Sequence, residues 1–306
     1  MNAEHDKELE TALSGLSDVA ATALVTLYCR AIESQVEAPI LHDDMAVAIC
    51  SSLSPALANS PDRLRRSLAH GEFNRDLCVH IAMRTNYYDE AGRAFLKRHP
   101  RGVVVNLGCG LDTRFLRIDN GQAPFYDLDL EEIIRLRRMY VSERENCQMI
   151  ACSLFDYRWM ERVAQEERVA QEERAAREDK RPMLFLAEGV FVYQEAAKVR
   201  ALVLEIQRRF PGSELLCEVF NSYFLSKAWK PLVDVIMQRG FGFGAEAKYR
   251  FGIRESREME SWGSGIEFLG DWSFFDTHHP RLGWLGRLGR FEFARKTEWT
   301  VHYRLN

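Results

Sequence analysis

Residues 103–114 read VVVNLGCGLDTR, a β-branched run that ends in two glycines separated by one residue. Three valines followed by Asn106 and Leu107 are typical of a buried strand. Gly108 and Gly110 then predict a tight turn, because glycine adopts backbone conformations that other residues avoid. A turn without Cβ atoms lets a ligand approach the main chain closely. The segment therefore predicts a strand whose end forms part of a binding site.

A second short strand, Phe125–Asp129, follows and ends in an acid. Strand, glycine turn, helix, strand and carboxylate is the order that places the ribose of a nucleoside against an acidic side chain. The turn differs from the dinucleotide fingerprint G-x-G-x-x-G, because Thr113 replaces the third glycine and Asp112 puts negative charge where a pyrophosphate would lie. An adenosine cofactor without phosphate is favoured, and S-adenosylmethionine is the common one.

Composition indicates an ordinary globular protein. The 306 residues are 46% hydrophobic and 28% charged, enough to bury a sizeable core. A formal net charge of −4 favours neither nucleic acid nor an anionic membrane as a partner. No apolar run reaches the roughly 18 residues that a membrane-spanning helix needs. Because residues 1–10 are polar and acidic, we expect no signal peptide and a cytoplasmic protein.

The cysteines and histidines give no sign of a metal site. Seven cysteines and eight histidines are scattered along the chain without metal-ligand spacing. We therefore expect no bound metal, and reduced cysteines that act as small core residues.

The distribution of apolar residues divides the chain into two parts. Residues 1–100 contain no convincing strand and show helical periodicity, with Pro39, Pro55 and Pro61 expected to separate several helices. Residues 101–306 alternate between strands and helices, which predicts an α/β fold. The predicted strands are 103–107, 124–128, 147–151, 183–187 and 214–220, with late, antiparallel strands at 266–276 and 297–305.

We predict a Rossmann-like sheet that is mostly parallel with a late antiparallel strand, preceded by an N-terminal helical lead-in at residues 1–100. Residues 101–306 would form the cofactor-binding domain, and the two parts would make one compact unit. Within it, residues 224–240 are expected to be helical, and residues 221–295 are expected to cover the substrate.

A hexapeptide repeat interrupts this alternation. Residues 161–166 recur as residues 167–172 and, imperfectly, as residues 173–178. Alternating Glu and Arg indicate a solvated helix extension held by ion pairs four residues apart. A surface that docks a partner is the alternative.

Five short motifs, taken together and in order, resemble the leucine carboxyl methyltransferase family of class I S-adenosylmethionine-dependent enzymes. Within that family, the bacterial branch typified by the tetracenomycin-type polyketide O-methyltransferases is most similar. The motifs are Arg84–Glu90, Asn106–Arg114, Tyr126–Asp129, Ser153–Asp156 and Ala187–Tyr193. The resemblance covers about residues 80–220, and it implies a methyltransferase with S-adenosyl-L-methionine as cofactor and a small molecule as acceptor.

The resemblance also implies a set of cofactor contacts. Arg84 would hold the methionine carboxylate, Asp129 would accept both ribose hydroxyls, and Glu188 would lie near the amino group and sulfonium. Ser153 matches a position where the family often has an acid beside the adenine. The complete cofactor-binding set is Arg84, Gly108, Gly110, Asp129, Ser153, Leu154 and Glu188.

Structural alternatives exist for these residues. Arg84 could be a surface cation, the two glycines could merely close a turn, and Asp129 or Glu188 could cap a helix. Asp127 is the fallback for the ribose, because residues two apart in a strand point to the same face.

The sequence indicates the methyl acceptor less clearly than it indicates the cofactor. A carboxylate is ionised at pH 7 and needs no general base, whereas a phenol benefits from one. Tyr87, Tyr223 and His278 are the candidates for orienting the acceptor or acting as a base. A small-molecule carboxylate is the predicted acceptor. The alternatives are a phenolic hydroxyl, the carboxyl terminus of a protein, or a methyltransferase-like binding subunit without catalysis.

Overall fold

A computed structural model describes residues 3–72, 74–173, 181–235 and 247–306 of the chain. Within these ranges, seven strands form one sheet in the order β3-β2-β1-β4-β5-β7-β6. The strands are β1 Val103–Leu107, β2 Phe125–Asp129, β3 Cys147–Ala151, β4 Met183–Ala187, β5 Ser213–Phe220, β6 Ile266–Trp272 and β7 Glu298–Leu305. All five strands predicted between residues 103 and 220 are confirmed, as are both late ones.

The direction of the strands also agrees with the predicted fold class. Strands β1 to β5 run parallel, and β7 pairs antiparallel with both β5 and β6. Strand β7 is therefore antiparallel to the other six described strands, and β6 is antiparallel only to its neighbour β7. Every residue of β1, β4 and β5 is buried, as expected for central strands that are covered by helices on both faces.

The helical part of the chain begins before the sheet. The described helices are α1 Ala3–Ser14, α2 Asp18–Glu33, α3 Asp44–Ala58, α4 Arg63–Ala69, α5 Arg75–Arg98, α6 Arg114–Ile118, α7 Glu131–Arg138, α8 Arg158–Glu173, α9 Ala196–Arg209, α10 Lys230–Val235 and α11 Glu292–Arg295. Side chains of Ser17, Asp43, Asp62 and Asn74 cap α2 to α5 by accepting backbone N–H groups.

Two predictions about helix boundaries were wrong. Pro55 does not separate helices but lies inside α3, which ends three residues later at Ala58. Because Pro55 is so close to the end of the helix, its missing N–H costs only one helical hydrogen bond. Residues 224–240 do not begin one continuous helix. A 3₁₀ turn covers Ser222–Leu225, and α10 starts afresh at Lys230, where Pro231 fits the first helical turn. Residues 236–240 lie outside the described part.

The hexapeptide repeat lies partly on α8. Val163 in the first copy is fully buried, whereas its counterpart Val169 is 42% exposed. Six residues advance a helix by about 600°, so successive copies cannot present the same face. Arg162 and Glu166 form the expected ion pair at 2.8 Å. Residues 174–178 lie outside the described residues.

No single helix in the described ranges is long and apolar enough to cross a membrane. One pair, Lys7–Ser14 and Asp18–Glu33, meets the length and composition test only when taken together, and it is bent by 118°.

A buried carboxylate ties the helical lead-in to the sheet. Asp43, only 2% exposed, accepts hydrogen bonds from Arg30 Nε and Arg117 Nη1, both at 2.9 Å. It also accepts from the Thr113 hydroxyl at 2.6 Å and caps α3 through the Ala46 N–H. Because Arg117 belongs to α6, directly after the glycine turn, Asp43 fixes α2 and α3 against the end of β1.

We predict that Asp43→Ala lowers the free energy of unfolding by about 3–5 kcal/mol, because the buried Arg30 loses its counter-charge and Arg117 loses one of its three carboxylate partners. Urea denaturation followed by circular dichroism would measure this. The matched control is Glu166→Ala, which breaks an exposed ion pair and should cost less than about 1 kcal/mol. Equal losses in the two variants would contradict the prediction.

Candidate functional site

A cavity of about 320 Å³ lies at the carboxyl ends of the parallel strands. Its wall combines the turn after β1, the ends of β2 and β4, the loop after β3 and one face of α2. All seven residues of the predicted cofactor set line it. Ligands of α/β proteins commonly bind at this edge of the sheet, where strand ends and helix starts meet.

Glycine is required at both positions of the turn by the backbone conformation and by the close approach of neighbouring side chains. Gly108 and Gly110 have φ values of +65° and +54°, which other residues rarely adopt. A Cβ on Gly108 would lie 2.5 Å from Val190 Cγ2, and one on Gly110 would lie 3.2 Å from Ala23 Cβ. Helix α2 thus lies directly against the turn and closes one side of the cavity.

Asp129 is positioned by the turn that it faces. Its two carboxylate oxygens accept the N–H groups of Gly110 and Leu130, each at 2.7 Å. Each oxygen keeps a lone pair for a further donor. Burial raises the pKa of Asp129 to about 6, although the two backbone hydrogen bonds and Arg137 act in the opposite direction. Asp129 can therefore accept two hydroxyl groups from a ligand in the cavity.

Asp127, the fallback for the same role, is placed differently. It is 2% exposed, is ion-paired with Arg137 and accepts a hydrogen bond from Asn106 Nδ2 at 3.3 Å. It is not among the described residues that line the cavity. The geometry favours Asp129. Asp127 is used up in a buried ion pair, whereas Asp129, two residues further along β2, opens onto the cavity.

Arg84 and Glu188 meet in the cavity wall. Arg84 Nε donates to Glu188 Oε1 at 3.0 Å, and Arg84 Nη1 donates to both oxygens of Glu218 at 2.8 and 3.0 Å. On the other side, Arg114 Nη2 donates to Glu188 Oε2 at 2.5 Å. Burial raises the pKa of Glu188, but Arg114 and Arg84 outweigh it and hold that pKa below its usual value.

Arg84 keeps one nitrogen for a ligand. Its Nη2 makes no hydrogen bond to any residue that the structure describes, and it lies beside Gly189, where a Cβ would approach it to 3.2 Å. Arg84 is therefore neither a surface cation nor fully saturated, since its side chain is only 7% exposed.

Ser153 and Leu154 form another part of the wall. Leu154 is 8% exposed, and its carbonyl accepts a hydrogen bond from Trp159 Nε1 at 3.0 Å. The Ser153 hydroxyl accepts the Phe155 N–H at 3.3 Å and remains free to donate. An apolar surface beside a hydroxyl suits a flat, polar-edged ring such as adenine.

The three catalytic candidates lie elsewhere. Tyr87 stacks on Trp272 with ring centroids 4.4 Å apart, Tyr223 is 41% exposed in an aromatic cluster, and His278 lies in an exposed turn at φ 49°. None of them is among the described residues lining the cavity. Whether they orient the acceptor stays a prediction.

Sequence reasoning missed several polar residues that line the cavity. They are His80, Arg114, Tyr193, Glu218, Tyr249 and Glu298. Glu218 carried a readable signal, because it is an acid within the otherwise apolar stretch 215–220 of strand β5. Burial, together with Glu298 and Glu188, raises the pKa of Glu218 despite its contact with Arg84. No group of three or more potential metal-ligating side chains occurs in the described ranges.

A mostly parallel sheet with a glycine turn after β1 and an open acid at the end of β2 is typical of Rossmann-like enzymes that bind a nucleoside cofactor. A family model described as leucine carboxyl methyltransferase matches residues 23–207, more than half of the chain. The chain belongs to this family. It is an S-adenosyl-L-methionine-dependent methyltransferase, and the predicted family, enzyme class and cofactor are confirmed.

Relatives cover most of the chain. The tetracenomycin polyketide synthesis O-methyltransferase TcmP of Streptomyces glaucescens is 27% identical over 263 residues, covering 86% of this chain and 85% of TcmP. The S-adenosyl-L-methionine-dependent methyltransferase dpfgK of Gibberella zeae is 27% identical over 300 residues, covering 93% and 91%. Among solved structures, a DUF574 family protein from Streptomyces avermitilis has 12% identity and a TM-score of 0.48, covering 91% and 97%.

We predict that the stability of the protein depends on the ionisation of Asp129. An unfolded Asp ionises near pH 4, whereas the folded-state pKa is about 6. The folded state is thus favoured below pH 4, and this advantage is lost as the pH rises through 6. Relative to Asp129→Asn, the free energy of unfolding of the wild type should fall by roughly 2 kcal/mol between pH 4 and 7. Urea titrations at each pH would measure it, and a difference that does not change with pH would refute it.

Proposed function

We propose that the seven cavity residues of the cofactor set hold S-adenosyl-L-methionine. The free Nη2 of Arg84 would bind the methionine carboxylate, and the remaining lone pair of Glu188 Oε2 would accept from the amino group. Asp129 would accept the ribose hydroxyls, and Ser153 and Leu154 would flank the adenine. The cofactor supplies an electrophilic methyl group on a sulfonium.

The fit of the cofactor is supported by the hydrogen-bond donors and acceptors of the cavity wall that have no partner within the protein. Glu188 Oε1 already accepts from Arg84 and from the Thr85 hydroxyl, at 3.0 and 2.8 Å, so only its second oxygen has room. Asp129 retains one lone pair on each oxygen. A ligand with one carboxylate, one ammonium group and a diol matches these open positions.

For the reaction, we propose methyl transfer to an oxygen of a small-molecule acceptor, as the description of TcmP as an O-methyltransferase supports. The sequence favoured a carboxylate acceptor and a methyl ester product, and the family's description as leucine carboxyl methyltransferase speaks for that choice. The charges of the cavity favour the second candidate, a phenolic hydroxyl.

One observation carries this preference: every arginine and lysine that lines the described cavity already has an ion pair. Arg30 pairs with Asp43 at 2.9 Å in a buried contact, and Lys198, whose side chain is 54% exposed, pairs with Glu195 at 3.5 Å. Arg84 pairs with two glutamates, and Arg114 with three carboxylates. A carboxylate acceptor would need a spare cation, and the remaining edge of Arg84 would be taken by the cofactor. A neutral hydroxyl avoids this cost.

The region after β5 contributes to the acceptor side. Tyr249 belongs to the segment 221–295 and lines the cavity, which supports the proposal that this segment covers the substrate. Roles for Tyr87, Tyr223 and His278 in orienting the acceptor remain predictions.

We predict that Asp129→Ala weakens binding of S-adenosyl-L-methionine by about 1–3 kcal/mol, because the Gly110 and Leu130 N–H groups and the ribose hydroxyls lose their acceptor. Isothermal titration calorimetry would measure the dissociation constant. Glu131→Ala, two residues away on the exposed side of α7, is the matched control and should bind normally. An unchanged constant in Asp129→Ala would remove Asp129 from the site.

We predict that purified enzyme methylates phenols in preference to benzoic acids of the same ring skeleton. Formation of S-adenosylhomocysteine would be followed with both sets of acceptors. Treating the products with alkali separates the two chemistries, because a methyl ester releases methanol and an aryl methyl ether does not. Base-labile products from the acids, without turnover of the phenols, would restore the carboxylate as acceptor.

A further inference from the structure

One histidine in the cavity wall keeps its hydrogen-bonding groups open. His80, on α5, lines the cavity and is half-buried. Neither of its ring nitrogens forms a hydrogen bond with a residue in the described ranges. An imidazole offers one N–H donor and one nitrogen acceptor when it is neutral. Because enclosed polar groups usually have partners, a ligand in the cavity is the expected partner of His80.

The position of His80 on α5 places it beside the methionine end of the proposed cofactor site. His80 precedes Arg84 by four residues, and side chains at this spacing lie on one face of a helix, one turn apart. None of the cofactor contacts proposed above requires His80. The charge of Glu298 also acts on His80, and Glu298 accepts a hydrogen bond from the Tyr249 hydroxyl at 3.1 Å. His80 therefore lies near both the methionine end of the cofactor and the residues that follow β5.

The ring of His80 is held by an aromatic neighbour. It packs on Phe274, with ring centroids 4.5 Å apart and ring planes inclined by 57°. Phe274 begins a short 3₁₀ turn directly after β6, and Arg295 anchors that turn through an ion pair with Asp276 at 2.7 Å. The segment 221–295, which was expected to cover the substrate, thus contacts the cavity wall through Phe274. This contact restricts the orientations available to the imidazole.

Near pH 7 His80 is an uncharged imidazole. Burial lowers its pKa to about 4, and Arg84 acts in the same direction, whereas Glu298 and Glu188 oppose them. The ring therefore carries one N–H and one unprotonated nitrogen. An uncharged donor forms no ion pair with the neighbouring carboxylates, so its N–H remains available for an oxygen atom of a ligand.

We propose that His80 binds the acceptor by donating its ring N–H to an acceptor oxygen, and that this hydrogen bond orients the acceptor for attack on the methyl group. Phe274 is a positioning residue in this scheme, because it acts through the imidazole. The inference rests on the proposed transfer of a methyl group to oxygen, and it holds for both candidate acceptors. A carboxylate would accept through the oxygen that is not methylated. A phenol would accept through its single oxygen, which keeps a second lone pair for the methyl carbon.

His80→Leu tests the proposal, because it removes the donor and keeps an apolar side chain against Phe274. With a phenol that the wild type methylates, kcat/KM should fall by about 10-fold, mainly through a higher KM. With an ionised benzoic acid the loss should be larger, since a charged oxygen forms the stronger hydrogen bond. The dissociation constant of S-adenosylhomocysteine, measured by calorimetry, and the urea midpoint should stay unchanged.

A conservative variant separates a hydrogen-bond donor from a merely structural residue. His80→Gln retains an N–H donor on a side chain of similar reach. It should recover most of the kcat/KM that His80→Leu loses. The matched control is His42→Leu, which replaces an exposed histidine and should keep the kcat and KM of the wild type.

A double-mutant cycle tests the role of Phe274. Phe274→Ala should raise the KM for the acceptor in the wild-type background, because the imidazole loses the ring that orients it. In the His80→Leu background the same change should have little further effect, since two residues that act through one contact are not additive. Additive losses would overturn the positioning role of Phe274.

The possible failures are distinguishable. If the wild type methylates an acceptor and His80→Leu keeps its kcat and KM, the role of His80 is wrong and the proposed function stands. Weaker binding of S-adenosylhomocysteine to His80→Leu, with an unchanged KM for the acceptor, would assign His80 to the cofactor instead. Equal losses in His80→Leu and His80→Gln would overturn the donor role. If the wild type methylates neither phenols nor carboxylic acids, the proposed function fails and the role of His80 fails with it.

Discussion

Glu188 makes the contact on which the architecture of the site depends, because it joins two buried arginines from different helices. Arg84 comes from α5 and Arg114 from α6, and each is also bound by further carboxylates. Guanidinium groups removed from water are tolerated only when paired, so the alternating charges must remain together in the folded state. This requirement fixes α5 and α6 against the end of β4. It also leaves Arg84 Nη2 and one side of Glu188 directed at the cavity.

The same alternation of charge continues into the helices that precede the sheet. Arg117 connects Asp112 and Asp89 to Asp43, and Asp43 also binds Arg30 on α2. Helix α2 is thereby held against the glycine turn, where Ala23 lies within contact distance of the position of a Cβ on Gly110. Helix α2, which is distant in sequence from the glycine turn, is therefore held in the cavity wall by ion pairs as well as by apolar packing.

Local sequence features predicted much of the fold. The strands were readable because β-branched and apolar runs bounded by turns have few other stable conformations. The helix boundaries were less readable. Pro55 was expected to separate helices, yet near a C-terminus the missing N–H costs only one hydrogen bond. For α10, Pro231 restarted a helix that periodicity alone had predicted to be continuous.

The sequence by itself determined the strand order along the chain, the need for glycine at residues 108 and 110, and the acid that ends β2, since each depends on neighbours a few residues away. It also carried the family's motifs, and with them the cofactor. The tertiary structure alone decided which of two acids, Asp127 or Asp129, opens onto the cavity. It alone brought Glu218 and Glu298 beside Arg84 and His80. These residues are far apart in the chain, and their meeting depends on the spatial order and direction of β5 and β7, which no local pattern of residues encodes.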